Sequence, residues 1–516
     1  MTSRVNKAEL FATLPPPWPE DLRPQIRAAL AAHPDHKLVV LDDDPTGTQT
    51  VYDVPVLTTW EEETLRAEFN NSEPCFYILS NSRSLAPEDA RTLTLDVARQ
   101  LQAAAWNRPF TLVSRSDSTL RGHFPLETDA LAAVLGPFDA TLLIPYFEDG
   151  GRYTIQDIHY VADGDALVPA AETPFARDAA FGYRNSNLRA YVEEKSGGHV
   201  KAGDVFSIGL SELRRGGPDA ITARLLALPR GAVSVVNAAA LRDLDVFVAG
   251  LLAAEAQGRR YCFRTAAQFP AARLGLEHRP LLTAGVLELT GRIAGRSASS
   301  PSSRDYSLPS AVLPPSPHRK PNAAVEEERT VGATALPNAG GLIVVGSHVP
   351  ITTRQLALLL NDERLLRIEL RVDELLSARR RQVLDAVAAA LAKALATGQD
   401  AVVFTSRRLL SADNAAEHLL IGRRISEALV ELVRRLEVCP RYLIAKGGIT
   451  SSDIATLGLG VTRAVVLGQL IPGVPVWRLG LETKFPGLTY VVFPGNVGGP
   501  TALADAMAQL NLKGNP

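Results

Sequence analysis

The feature that most limits what this chain can become is an alternation of short apolar runs with amphipathic stretches, which runs, stops once and starts again. Runs at residues 38–41, 75–79, 110–114, 141–145 and 233–236 are separated by helical patterns such as 88–106 and 126–135. Runs of four or five residues suit strands, and the stretches between them are long enough for crossover helices, so the pattern predicts parallel strands covered by helices. Between residues 295 and 340 all periodicity is lost in SASSPSSRDYSLPSAVLPPSPHRKPNAAVEEERT. Serine and proline there cannot bury enough apolar surface to offset the entropy of ordering, which predicts a flexible linker or surface insertion. The alternation then resumes at 341–346, 367–372, 401–405, 442–445, 463–467 and 489–493, with helical patterns at 373–396 and 415–436. The expectation is an α/β chain of two domains, each a mainly parallel sheet with flanking helices, and a ligand cleft between them: an N-terminal domain at 1–294, the linker at 295–340, and a C-terminal domain at 341–516. One hydrophobic core seldom organises a chain of this length.

Charge and composition narrow the function. The 54 basic residues nearly cancel the 56 acidic ones, which removes the electrostatic footprint of a nucleic-acid binder or of a protein held on anionic membranes. Any anionic ligand must therefore be held by a local site. No apolar run is long enough to span a bilayer, and the N-terminal residues lack the apolar core of a signal peptide, so a cytoplasmic location is expected. Three scattered cysteines, Cys75, Cys262 and Cys439, suggest neither a disulfide framework nor a zinc site.

In open α/β sheets ligands gather beyond the carboxyl ends of the strands, and the residues there are unusual. The run 38–41 empties into Asp42, Asp43, Asp44, Pro45, Thr46 and Gly47. Three adjacent carboxylates repel one another unless a cation, a base role or donor groups stabilise them, and Pro45 with Gly47 turns the chain sharply to present them. The run 110–113 ends in Ser114, Arg115, Ser116, Asp117, Ser118, Thr119, Leu120 and Arg121. Two guanidinium groups amid hydroxyls suit a carboxylate or phosphate. His123 is ambiguous, Arg152 belongs to a polar rim after Pro145, and residues 173–178 form a further polar turn.

The second half offers three small-residue turns. Gly346, Ser347 and His348 precede one helix; Lys446, Gly447, Gly448, Thr450 and Ser451 open another; Gly495 and Asn496 follow the last run. Backbone amides at such turns make phosphate cradles, and three together favour a nucleotide. No phosphate-binding G-x-x-x-x-G-K-[ST] loop, zinc-protease H-E-x-x-H or hydrolase G-x-S-x-G motif occurs.

In order, LDDDPTGTQT, SRSDSTLRGHFPLE, PYFEDGGRYT, TPFARD, GLIVVGSHVPITTRQ, AKGGITSSDIAT and FPGNVGG resemble the four-carbon acid sugar kinase family, over roughly residues 37–503 with the linker as an interruption. The resemblance implies a sugar-acid-binding N-terminal domain, a nucleotide-binding C-terminal domain, and ATP-dependent phosphorylation of a terminal hydroxyl on a threonate, erythronate or 3-oxo-tetronate type of acid. It implies that Ser347, residues 447–451, Gly495 and Asn496 contact ATP, with Lys446 beside them, and that the acid turn and residues 114–121 face the substrate. Phosphoryl transfer requires positioning, charge neutralisation and a proton acceptor. Asp43 is the expected base or its organiser, with Asp42 or Asp44 favouring Mg²⁺. Arg115 and Arg121 are expected to hold the substrate carboxylate, with Thr46, Gly47, Ser114, Asp117, Ser118 and Arg152 around it. Two other readings stay open: a haloacid-dehalogenase-like phosphatase, taking Asp42, Asp44 and Thr46 as its D-x-D-x-T signature, and a non-catalytic nucleotide or sugar-acid sensor. A homo-oligomer is compatible with the sequence.

Overall fold

Apolar runs this short, buried on both sides, can satisfy their backbone groups only by pairing with one another. In the computed structural model they form one sheet of fifteen strands. The structure describes residues 4–283, 287, 338–407 and 415–511, so the expected linker lies outside the described residues except at its last three positions. In chain order the strands are β1 (Lys37–Asp42), β2 (Val54–Leu57), β3 (Cys75–Leu79), β4 (Phe110–Arg115), β5 (Ala140–Ile144), β6 (Phe206–Ile208), β7 (Ala232–Val236), β8 (Tyr261–Thr265), β9 (Leu342–Val345), β10 (Leu366–Leu370), β11 (Ala401–Thr405), β12 (Tyr442–Lys446), β13 (Arg463–Ile471), β14 (Val474–Leu479) and β15 (Thr489–Phe493). Across the sheet they run β6-β7-β5-β8-β4-β1-β3-β2-β13-β14-β15-β12-β9-β11-β10.

The first eight strands pair in parallel with one another, as do β15, β12, β9, β11 and β10. Along β1, Leu38 and Val40 face one core while Val39 and Leu41 face another, so both faces of the sheet are apolar and helix-covered. Helices Glu62–Asn70, Pro87–Ala105 and Leu126–Leu135 cover the second face.

The halves are spliced edge to edge. β2 pairs antiparallel with β13, Val54 opposite Val466 and Leu57 opposite Arg463, and β13 forms an antiparallel hairpin with β14. Because β2 follows the acid turn directly, the splice delivers that turn to the junction. A separate four-stranded sheet, Val5–Asn6, Ala166–Pro169, Ile158–Asp163 and Arg152–Ile155, sits on the N-terminal half.

The helix expected over 373–396 is broken into Val372–Leu375 and Arg380–Ala396. Ser377 causes the break: its hydroxyl donates to the Glu374 carbonyl at 2.8 Å and accepts from the Arg379 amide at 3.1 Å. That pattern ends one helix and starts the next. Among the described residues no helix is long and apolar enough to cross a membrane.

Candidate active site

Three consecutive carboxylates at a strand end must each be neutralised differently, and the fold does so by sending them in three directions. Asp42, the last residue of β1, turns into the protein, where its Oδ1 accepts from Arg115 Nη1 at 2.7 Å and from the Asp44 amide at 3.3 Å. Its Oδ2 is buried without a hydrogen-bond partner. Burial pushes Asp42 up to about 7 against the opposing pull of Arg115. Asp43 accepts from Ser116 Oγ at 2.5 Å and lies 3.6 Å from Arg115 Nη1. Burial raises it as well, opposed by Arg83, Arg115 and Arg264. Asp44 caps the 3-10 helix Pro45–Thr50, accepting from the Thr46 amide at 2.9 Å and from its hydroxyl, and pairs with Arg83. Burial would raise Asp44 too, but Arg83, Arg115 and the Thr46 bonds outweigh it and hold the carboxyl below the ordinary range.

Only glycine fits at position 47. A Cβ there would stand 2.0 Å from Asp42 Oδ2 and 2.5 Å from Arg115 Cζ.

The arginines divide in the same way. Arg115 is 4% exposed and committed to Asp42, with part of its side chain on the cleft wall. Arg83 follows Asn81, whose left-handed φ of 52° turns the chain after β3 so that the guanidinium meets Asp44 and comes within 3.5 Å of Asp117 Oδ1. Arg121 Nε donates to Asp117 Oδ2 at 2.7 Å, and its head lies 5.2 Å from the Phe175 ring centre. Burial would raise Asp117, but Arg121 and Arg83 hold it far below the ordinary range. Arg152 lies 5.6 Å from the same ring, and its Nε is buried with no hydrogen-bond partner. Beneath these groups Arg264 Nη1 donates to Glu127 Oε2 at 2.5 Å and to Ser114 Oγ at 3.1 Å, while His123 Nε2 meets the Ser82 carbonyl at 3.1 Å. Ser114 and His123 therefore belong to the layer supporting the acids.

On the C-terminal half, three strand ends bring the small-residue turns together. β9 lies beside β12, and β12 beside β15, with Val345 opposite Lys446 and Lys446 opposite Phe493. Gly447 has φ 122°, which side chains rarely adopt. The 494–499 turn is held from one side: Thr352 Oγ1 donates to the Gly495 carbonyl at 2.7 Å, and Gln355 Nε2 bonds the Val497, Gly498 and Gly499 carbonyls at 2.9, 3.2 and 2.9 Å. Ser451 spends its hydroxyl on the Ala445 and Gly447 carbonyls, at 2.8 and 2.7 Å. Lys446 is fully buried; its Nζ donates to the Pro494 carbonyl at 2.6 Å and lies 3.8 Å from the centre of the Phe493 ring. Burial lowers Lys446 to about 7.

The two groups of loops face one another across a cleft of about 820 Å³. Of the residues the sequence singled out, the structure brings Asp44, Thr46, Arg115, Asp117, Ser118, Arg121 and Arg152 to one wall, and Ser347, Gly447, Gly448, Thr450, Gly495 and Asn496 to the other. Asp42, Asp43, Gly47, Ser114, Lys446 and Ser451 do not line it; they hold the walls from behind. The walls approach closely at Gly448, where Asp44 Oδ2 lies 3.2 Å from where a Cβ would stand. Sequence reasoning missed Asn81 and Arg83, and it read Phe175 and Asp178 only as part of a polar turn. The first two directly follow β3, and the rule that singled out the other strand ends would have found them.

Comparison with known proteins agrees with this division. Residues 38–273 match the family described as the sugar-binding N-terminal domain, and residues 342–503 match the nucleotide-binding C-terminal domain. Over 149 residues the chain is 30% identical to D-erythronate kinase of Heliobacterium modesticaldum, covering 27% of this chain and 32% of that protein. Over 101 residues it is 35% identical to D-threonate kinase of Bordetella bronchiseptica, covering 20% of this chain and 23% of that one. The chain thus spans a third or less of the curated relatives it matches. A solved structure from Haemophilus influenzae, of the DUF1537 family, superposes with a TM-score of 0.57 at 17% identity, covering 92% of this chain and all of that one. A Salmonella typhimurium LT2 structure described as a candidate tRNA synthase gives 0.59 at 17% identity, covering 91% and 98%. At that identity the likeness is one of fold.

Proposed function

The chain belongs to the four-carbon acid sugar kinase family, and from that premise we propose that it transfers the γ-phosphoryl group of ATP to a hydroxyl of a four-carbon sugar acid of the threonate, erythronate or 3-oxo-tetronate class. The observation that carries this reading is the cleft with an acid and arginines on one wall and glycine turns on the other, Asp44 standing against Gly448. An in-line transfer needs that juxtaposition of acceptor and donor sites.

Asp44 is the acid that meets the substrate. Ionised at neutral pH and fixed by Thr46 and Arg83, it orients the attacking hydroxyl and takes its proton as the bond to phosphorus forms. A weak base suffices because the transition state is loose and the proton moves late. This reading moves the role from Asp43, whose carboxylate is 2% exposed behind Ser116. Arg152, which feels Asp117 but makes no ion pair within 4 Å among the described residues, and Arg121 receive the substrate carboxylate, while Arg83 neutralises charge at the junction with the nucleotide turns. Arg115 holds the acids in place.

The described residues contain no group of three or more His, Cys, Asp or Glu side chains able to hold a metal. A Mg²⁺ ion arriving on the nucleotide would be held mainly by phosphates and water, as Mg²⁺ prefers, on the wall that Asp44 faces. The ion would supply charge neutralisation. The phosphatase reading fares poorly, because its nucleophile would be Asp42, which is turned inward onto Arg115.

A coupled ADP assay with ATP and a panel of four-carbon acids tests the proposal. ADP release that depends on one of the acids is expected. Phosphate release from a phosphorylated sugar acid without ATP, and no acid-dependent ADP, would replace it with the phosphatase reading.

A further inference from the structure

The 3-10 turn that follows the acids, Pro45–Thr50, rests mostly on the other half of the molecule, against β13, β14, β15 and the helix Gly448–Asp453. One directed bond fixes it there. Trp477, on β14, is fully buried, and its Nε1 donates to Thr48 Oγ1 at 3.0 Å, the threonine being 1% exposed. Next to it Gln49 Oε1 lies 3.4 Å from where a Cβ on Gly473 would stand. Farther along the chain the Asp53 amide donates to the Val466 carbonyl at 2.7 Å.

The turn is a short, stiff lever. The Gly47 amide donates to the Asp44 carbonyl at 3.1 Å and Thr46 closes onto the Asp44 carboxylate, so Thr48 cannot shift without moving Asp44. A buried indole N–H aimed at a buried hydroxyl fixes both position and orientation, which apolar packing alone would leave looser.

We infer that Trp477 is a positioning residue for the phosphoryl transfer: through Thr48, the nucleotide-binding half holds the acid turn of the sugar-acid half against the glycine turns. The inference rests on the kinase reading. It assigns the C-terminal half a part in building the acceptor site as well as binding the nucleotide.

Thr48→Val keeps the shape and removes the acceptor, Thr48→Ser keeps the hydroxyl, and Trp477→Phe removes the donor. Because misplacement by about 1 Å costs on the order of 100-fold, Thr48→Val and Trp477→Phe should lower kcat about 10- to 100-fold, with KM for both substrates within about threefold of wild type. The double variant should be no worse than the poorer single one, as expected of two ends of one bond. Thr48→Ser should restore kcat to within about twofold. Hydrogen–deuterium exchange in the Val and Phe variants should quicken over residues 42–50 by more than over the rest of the sheet, beyond what any fall in the melting midpoint accounts for.

Wild-type kcat in Thr48→Val, a Ser variant as impaired as the Val one, or losses that follow the melting midpoint would make Trp477 a core residue and nothing more. If the wild type releases no ADP with any four-carbon acid, the kinase reading fails separately. The exchange experiment then decides the coupling, and unchanged protection over 42–50 in Thr48→Val overturns it.

Discussion

Replacing Gly47 by alanine tests whether the acid turn is as tightly built as its geometry says. The new Cβ would stand 2.0 and 2.4 Å from the two oxygens of Asp42 and 2.5 Å from Arg115 Cζ. Ordinary contact begins near 3.4 Å, so the closer oxygen would have to retreat by about 1.4 Å (3.4 less 2.0). It has nowhere to go, because the Asp42 carboxylate is held by Arg115 at 2.7 Å and the guanidinium carbon is itself too close to the added methyl. Either the pair stays together and the turn is pushed outward, an overpacking cost of about 1–3 kcal/mol, or the buried pair parts, which costs about 3–5 kcal/mol. Both displace Asp44, so kcat should fall about 100-fold or more. Denaturant unfolding monitored by tryptophan fluorescence reads the first effect, and the ADP assay on the folded variant reads the second. A Gly47→Ala protein with wild-type stability and kcat within about twofold would refute the reasoning, since the crowding would then have been relieved without moving the turn.

Asp44→Asn should lower kcat about 10²- to 10⁴-fold while leaving nucleotide affinity, measured by calorimetry, within about threefold. Arg152→Met, which keeps the bulk against Phe175 and removes the charge, should raise KM for the sugar acid about 10- to 100-fold, consistent with loss of a charge-assisted bond, and leave KM for ATP alone. Lys446 gives a pH prediction with a definite sign. Its folded-state value is lowered to about 7 by burial, so between about pH 7 and 10.4 the unfolded chain binds more protons than the folded one, and stability from this group rises with pH across that window. Comparing denaturant midpoints of wild type and Lys446→Met from pH 7 to 9.5 isolates it: the wild type should gain on the variant as pH rises, and parallel curves would show that the lysine is not depressed.

The parallel strands around the site were legible because uninterrupted apolar runs such as Leu38–Leu41, alternating with helical stretches, suit strands buried on both faces, whereas their order across the sheet was not. Nor was the splice. β2 contains Pro55 and β14 contains Pro475, and proline within a short run argues against an internal strand. Here Pro55 lies opposite Val465, and Pro475 opposite Gln469 beside a register irregularity. The acid triplet announced a site from sequence, but which acid meets the cleft depends on contacts 73 residues away, between Arg115 and Asp42 and between Ser116 and Asp43. Arg152 was legible only as a polar rim; that it makes no ion pair within 4 Å among the described residues is a property of the fold. Lys446 and Ser451 looked like ligand groups because of their neighbours; Lys446 donates to the Pro494 carbonyl of the neighbouring turn and Ser451 to carbonyls of its own.

The splice also raises the question of what holds its register. Val54, Pro55, Val56 and Leu57 are all buried, so a slip by one residue would exchange one apolar face for another, without the penalty that fixes register in a half-exposed strand. The ends of the pairing supply what its middle lacks. At one end Asp53, with φ 55°, donates its amide to the Val466 carbonyl at 2.7 Å and pairs with Arg279. At the other the Thr58 amide donates to the Thr462 carbonyl at 3.0 Å, and Arg463 Nε donates to Glu68 Oε1 at 2.6 Å. A slip would break these end contacts together and carry the acid turn about 3.3 Å along the strand direction, several times the error that phosphoryl transfer tolerates. The polar contacts at the ends of β2 therefore secure the alignment of the two walls, although none of them reaches the cleft.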